Sequence, residues 1–346
     1  MSAVLFCTGG SSETGIGHIM RCQALAQAAG EQGLDSLFVV NEAARQFILA
    51  RYDWTGQLIL AAETEQALVS QITALAAEHA AVAIVLDGYG FSESLLRNVS
   101  HPGTPLVLLD DLRQPGFQYA DILCNPAGEV WREAYTEANP TAMLCLGARY
   151  RLLRREFSVT QPLPINQRFS LTINMGGSDP AGLTLPVLER LTAALPDAPF
   201  RVVTGPGMAA DALDALSRFI HKSDSAIQHV HNCQDMADLW INARLAVVAA
   251  GGSQFELAAC LTPSVLLTVA ANQRQASHEA AGQGWCEVMN AEESLDLAAL
   301  TASVKALWQD ETRLEAMSRV ASDVAVTDGA WQLLAAIADW RNDLAG

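Results

Sequence analysis

The chain opens with Ala3-Val4-Leu5-Phe6-Cys7, a polar loop over 8–14, and then Gly15-Ile16-Gly17-His18-Ile19-Met20-Arg21. The apolar run reads as a buried strand, and Ala24, Leu25 and Ala28 carry an apolar helical period onward from the glycines. A strand, a glycine turn and a helix in succession open an α/β unit. Glycines in such a turn let another molecule approach the backbone, and the first turn of a helix offers unpaired N–H groups to an anion. A histidine at that place is positioned for proton transfer beside a phosphate or a sugar. The plainer alternative is a tight turn with an exposed capping histidine.

The nearest phosphate motifs are excluded by single residues. Gly10 and Gly15 have Walker A spacing, but Ile16-Gly17 stand where Lys-Ser/Thr are needed, so an ATPase is not expected. A G-x-G-x-x-G fingerprint fails at Met20, and no acidic residue is placed for a dinucleotide ribose.

Strand-like runs at 3–7, 34–40, 57–60, 82–86, 106–109 and 121–124 alternate with helical stretches, which implies a parallel sheet flanked by helices. The texture changes at Arg149-Tyr150-Arg151-Leu152-Leu153-Arg154-Arg155, which leads into Pro162-Leu163-Pro164. Runs at 169–174, 200–204, 227–230, 245–249 and 265–269 then restart the pattern. Helices are expected to begin near Thr184, Ala209, Asp235, Ser253 and Gln273, with a C-terminal helix over 329–344. The expected organisation is therefore an N-terminal Rossmann-like domain over 1–157, a linker over 158–167, a second such domain over 168–328, and a helix over 329–346. Open α/β sheets bind ligands at the carboxyl ends of their strands, so two doubly wound domains are expected to face across a cleft.

Composition bounds the partners. The chain has 346 residues, half of them hydrophobic, and a net charge of −17, which argues against nucleic acid or stable association with an anionic membrane. A bound phosphate must then be held by local geometry and not by a basic field. Seven cysteines lack C-x-x-C spacing, and Cys22, Cys124, Cys145 and Cys260 read as small core residues of a reduced compartment. The first residues show no charged-then-apolar leader and no run is long enough to span a membrane, so a soluble cytoplasmic protein is expected.

Two further glycine turns fall where this topology predicts. Asn174-Met175-Gly176-Gly177-Ser178-Asp179 follows the first strand of the second half, and Gly251-Gly252-Ser253-Gln254-Phe255-Glu256 follows its fourth. Each places backbone N–H donors and a hydroxyl around an anion. Ser253 is also a sensible N-cap. Glu256 suits either the ribose of a nucleotide or the far end of a capping box begun by Ser253.

Taken together these turns resemble two-Rossmann-domain glycosyltransferases of the GT-B type. Within that group the chain resembles the PseG family, the UDP-sugar hydrolases of pseudaminic acid biosynthesis, related to the GlcNAc transferase that completes lipid II. The resemblance covers most of the chain. It rests on Gly15-x-Gly17-His18-Ile19-Met20-Arg21-Cys22, Asp87-x-Tyr89-Gly90, Leu109-Asp110-Asp111, Gly147-x-x-Tyr150-x-Leu152-Leu153-Arg154-x-Glu156-Phe157, Met175-Gly176-Gly177-Ser178-Asp179, Gly251-Gly252-Ser253 with Glu256, and Asn272-Gln273.

The resemblance implies metal-independent, cofactor-free hydrolysis of a UDP-linked 2,4-diacetamido-trideoxy sugar, with sugar and catalytic groups in the first domain and UDP in the second. His18 matches the catalytic histidine, and Tyr89 is expected to contact sugar or water. Gly15, Gly17, Arg21, Asp111, Arg154, Asn272 and Gln273 are the expected substrate contacts. Gly176, Gly177, Ser178, Gly251, Gly252, Ser253 and Glu256 are the expected nucleotide contacts.

The chain departs from the family in two places. Cys7-Thr8-Gly9 stands where the family carries Arg-x-Asp, and Gly88 stands where it carries His. Both changes lie in the sugar-binding half, so the identity of the sugar is left open. The alternatives are a GT-B glycosyltransferase using the same donor and a catalytically silent UDP-sugar-binding subunit. His229-Val230-His231 alternates as a strand does and lacks a third metal ligand. Trp308, Trp331 and Trp340 read as packing residues of the C-terminal helices, and the oligomeric state is left open.

Overall fold

The computed structural model describes residues 2–9, 16–99 and 103–345. These form two compact units. The first comprises the opening strand, Ile16–Arg155 and Thr327–Gly346, and the second comprises Glu156–Val326.

The first unit contains strands β1 (Ala3–Thr8), β2 (Asp35–Val40), β3 (Gln57–Leu60), β4 (Ala83–Asp87), β5 (Leu106–Leu109), β6 (Ile122–Asn125) and β7 (Met143–Leu146). They lie in one parallel sheet in the order β3-β2-β1-β4-β5-β6-β7. β1, β4, β5 and β6 are buried along their whole length, as expected of parallel strands covered on both faces. The order reverses between β1 and β4, whose last residues Thr8 and Asp87 are register partners. The crevice at such a reversal is where open α/β sheets bind ligands.

The helix Gly17–Glu31 packs against this sheet through Ile19, Cys22, Leu25, Ala26 and Ala29. The C-terminal helix Gly329–Ala345 adds Ala330, Leu333, Leu334 and Ile337 to the same core, and the Trp331 indole donates to Glu31 at 3.1 Å. Gly329 is required where this helix starts. A Cβ there would stand 2.2 Å from the Arg151 carbonyl oxygen.

The second unit contains β8 (Ser170–Asn174), β9 (Phe200–Thr204), β10 (Ile227–His231), β11 (Ala243–Ala249), β12 (Ser264–Thr268) and β13 (Cys286–Asn290). They form a parallel sheet in the order β10-β9-β8-β11-β12-β13, so its reversal lies between β8 and β11. The helices Thr184–Ala194, Leu297–Gln309 and Glu311–Val324 contribute Val187, Leu188, Leu191, Leu300, Val304, Leu307 and Leu314 to its core.

Two strands escape the sequence reading, β7 and β13. The stretch after Arg155 holds a short helix, Glu156–Val159, and a single 3-10 turn, Ile165–Gln167. Cys22, Cys124, Cys145 and Cys260 are buried and unpaired. Among the described residues no helix is long and apolar enough to cross a membrane.

Candidate active site

The reversal of the first sheet gathers five polar side chains. His18 is the second residue of the helix that follows β1, and Arg21 lies one turn further along the same face. Asp87 ends β4, Tyr89 follows it, and Asp111 follows β5. The Nδ1 nitrogen of His18 lies 2.7 Å from Oδ1 of Asp87. Arg21 grips Asp87 with two nitrogens, Nε to Oδ2 at 2.5 Å and Nη2 to Oδ1 at 2.6 Å. Its third nitrogen donates to Oδ1 of Asp111 at 2.7 Å, and the Tyr89 hydroxyl donates to Oδ2 of Asp111 at 2.9 Å. The Tyr89 ring stands edge-on to His18, with centroids 4.6 Å apart.

Asp87 is 0% exposed, so its charge must be compensated on the spot. Burial pushes its carboxyl upward, but Arg21 and then His18 outweigh it and hold the group down at about 2. Burial works against the Arg21 guanidinium, yet Asp111 and Asp87 hold it well above its usual range. An ionised Asp87 can only accept, so it takes the Nδ1 proton of His18 and makes Nε2 the nitrogen turned away from the carboxylate. Nε2 makes no hydrogen bond to the described residues, and His18 is 6% exposed.

Neighbouring residues have other work. Asp110 is buried, accepts from the Tyr135 hydroxyl at 2.8 Å, and holds the backbone of Leu112 and Gln114. Burial pushes its carboxyl upward. Gly15 lies outside the described residues. Gly17 begins the helix with open space where a side chain would stand. Arg154 is buried in the segment that closes the first unit.

In the second unit the glycine turns flank the β8/β11 reversal. Gly176 adopts φ +84°, a left-handed conformation that favours glycine, and its N–H donates to Asn174. Asp179 accepts from the backbone N–H groups of Leu183 and Thr184, tying the turn to the helix that follows. The turn after β9 closes against it, with Gly207 N–H donating to the Gly177 carbonyl at 3.0 Å.

After β11, Gly252 occupies the N-cap of the seven-residue helix Ser253–Ala259 and makes no side-chain cap. This corrects the capping expectation. Ser253 is already helical, so it cannot cap from outside, and Glu256 instead accepts from the Trp240 indole at 3.1 Å. Gln273 accepts from the Val269 N–H beyond β12, and its amide nitrogen lies 3.9 Å from where a Gly251 side chain would begin. Asn272 shares its 3-10 turn. The Thr204 hydroxyl lies 2.8 Å from His229 Nε2 and 3.0 Å from His231 Nδ1, so it donates to one ring and accepts from the other. Burial, then the neighbouring His231, lowers His229. Among the described residues no group of three or more His, Cys, Asp or Glu is arranged to hold a metal ion.

Solved structures share this architecture over nearly the whole chain. MurG of Acinetobacter baumannii superposes with a TM-score of 0.63 at 15% identity, covering 97% of this chain and 99% of that one. MnaA of S. aureus, solved with UDP, gives 0.66 at 11% identity, with 96% and 95% covered. The UDP-GlcNAc 2-epimerase of Neisseria meningitidis, solved with UDP-GlcNAc, gives 0.65 at 11% identity, with 98% and 100% covered. The fold is GT-B.

Sequence relatives of this GT-B chain are distant. The uncharacterized protein MJ1062 of Methanocaldococcus jannaschii is 24% identical over 272 residues, 76% of this chain and 55% of that protein. The chain thus spans about half the length of that relative. The spore coat polysaccharide biosynthesis protein SpsG of Bacillus subtilis is 25% identical over 329 residues, 93% of this chain and 89% of that protein. No family model matches.

One residue of the candidate site had no role assigned from sequence. Asp87 is the buried partner of His18, yet it lies 69 residues away. The available signal was a carboxylate closing an otherwise apolar strand, Ala83-Ile84-Val85-Leu86-Asp87.

Proposed function

We propose that this chain breaks the anomeric C–O bond of a UDP-linked sugar with water as the nucleophile and no metal ion, releasing UDP and free sugar. The pairing of His18 with buried Asp87 carries this reading. Water oxygen bonds to the anomeric carbon, and the bond to the diphosphate breaks with its electron pair leaving on the phosphate oxygen. The water proton passes to His18 Nε2, and Asp87 stays ionised and holds the imidazole in place through Nδ1. Diphosphate is already a fair leaving group, so the protein supplies mainly position and charge stabilisation.

UDP is assigned to Gly176, Gly177, Ser178, Gly251, Gly252, Ser253 and Glu256. The position of these turns at a sheet reversal supports the assignment, as do the UDP and UDP-GlcNAc complexes solved in the same fold. Asn272 and Gln273 are assigned to the sugar acetamido groups or the phosphates. A diacetamido-trideoxy sugar of a pseudaminic-type pathway is the substrate the family resemblance favours, with the protein acting in the cytoplasm.

A second reading replaces water by an acceptor hydroxyl. The polysaccharide biosynthesis in the name of the Bacillus subtilis relative favours this transferase. The deciding experiment measures UDP release from a panel of UDP-sugars in EDTA and without acceptor, with His18→Ala alongside. Release that collapses in the variant supports the hydrolase. UDP binding without release sinks it in favour of a transferase or a silent binding subunit.

A further inference from the structure

Arg21 stands in an unusual place for a substrate contact, because its hydrogen bonds are directed into the protein. Nε and Nη2 are committed to Asp87 and Nη1 to Asp111, with the side chain 20% exposed. The same Nη2 lies 3.1 Å from His18 Nδ1, the nitrogen that faces Asp87. Arg21 has no lone pair, and Nδ1 spends its proton on Asp87, so this approach is not a hydrogen bond. It is a fixed positive charge held against the imidazole.

That charge matters because of what the pair would do without it. A buried carboxylate 2.7 Å from an imidazole favours the imidazolium, and an imidazolium cannot accept a proton from water. The groups around His18 can be followed element by element. Arg21 and Cys22 lie on its own helix, Asp87 ends β4, Tyr89 follows β4, and Asp111 follows β5 and reaches His18 only through Arg21 and Tyr89. The Cys22 thiol donates to Asp87 Oδ2 at 3.6 Å, and burial, the largest effect on it, holds that thiol well above its usual range, so it adds no charge. Arg21 is therefore the one cation among these groups.

We propose that Arg21 is a positioning residue that separates the two effects of Asp87. It lets the carboxylate orient the imidazole while cancelling the charge that would protonate it. Asp87 then serves as an anchor and not as a proton trap. Asp111 holds Arg21 from the far side and keeps the guanidinium from turning outward. The inference rests on the proposed role of His18 as a base, but its test needs no substrate.

The test follows His18 by long-range proton–nitrogen correlation in the full-length protein labelled at histidine nitrogen, with the signal assigned by its loss in His18→Gln. In the unsubstituted protein near pH 8 the proton is expected on Nδ1, with Nε2 bare. In Arg21→Gln the His18 titration is expected to move upward by about one pH unit, the usual effect of removing a charge at this range. An unmoved or downward titration overturns the proposal. If Arg21→Gln does not fold, the unsubstituted protein still decides, because an imidazolium persisting at pH 8 also overturns it. Failure to find a UDP-sugar substrate would leave these readings untouched, so the two ideas fail separately.

Discussion

An added Cβ on Gly205 would stand 2.3 Å from the carbonyl oxygen of Gly177, so the turns after β8 and β9 close on each other with no room for a side chain. Gly205→Ala must displace the Gly176-Gly177-Ser178 turn. The expected cost is about 2 kcal/mol of stability, as for overpacking elsewhere. Urea denaturation reads that loss, and calorimetric titration reads the accompanying fall in UDP affinity. A variant that keeps full affinity would remove this turn from the proposed nucleotide site.

His18→Ala removes the base and leaves the second unit untouched. UDP release is expected to fall by about 10²- to 10⁴-fold, the range of general acid–base contributions. UDP affinity should hold, because the nucleotide is assigned to the other unit. Parallel loss of both would show that His18 acts on binding and not on proton transfer.

Asp87 should make the protein acid-sensitive in a defined window. Its carboxyl is held at about 2 in the folded protein against an ordinary 3.8. A depressed carboxyl stabilises the folded state above its unfolded value and loses that contribution as pH falls through the folded one. The expected loss is about 2 kcal/mol between pH 4 and pH 2. Urea midpoints measured from pH 5 downward should fall more steeply in the unsubstituted protein than in Asp87→Asn.

Leu333 is fully buried in the core shared by the C-terminal helix and the helix Gly17–Glu31. Leu333→Ala should cost about 3 kcal/mol through lost transfer energy and the cavity left behind. Thermal denaturation reads this, and a shift within experimental error would mean that the helix is dispensable to the first unit.

Most strands were legible because buried parallel strands are continuous apolar runs, as in Ala83-Ile84-Val85-Leu86 and Leu106-Val107-Leu108-Leu109. The two that escaped are edge strands. β7, Met143-Leu144-Cys145-Leu146, is as apolar as the strands that were read, whereas β13 carries Glu287 and Asn290 among its apolar residues. The glycine turns were visible because strand, turn and helix are consecutive in the chain. The pairing of His18 with Asp87 was not, since only the adjacency of β1 and β4 brings them together. A carboxylate at a strand end carries no local mark of which histidine it will meet. Ser253 misled for a smaller reason. A hydroxyl at a helix start can stand at the N-cap or one residue inside it, and only backbone geometry separates the two.

The first unit is completed by Thr327–Gly346, after the whole of the second has intervened. During synthesis at roughly 5–20 residues per second, its helix Gly17–Glu31 waits for tens of seconds with an apolar face uncovered. The described part of the second unit, Glu156–Val326, is contiguous in the chain and has every strand it needs before that helix emerges. The ribosome therefore delivers these units in reverse of their genetic order. The later-encoded one matures first, and the half containing His18 is sealed by the helix Gly329–Ala345.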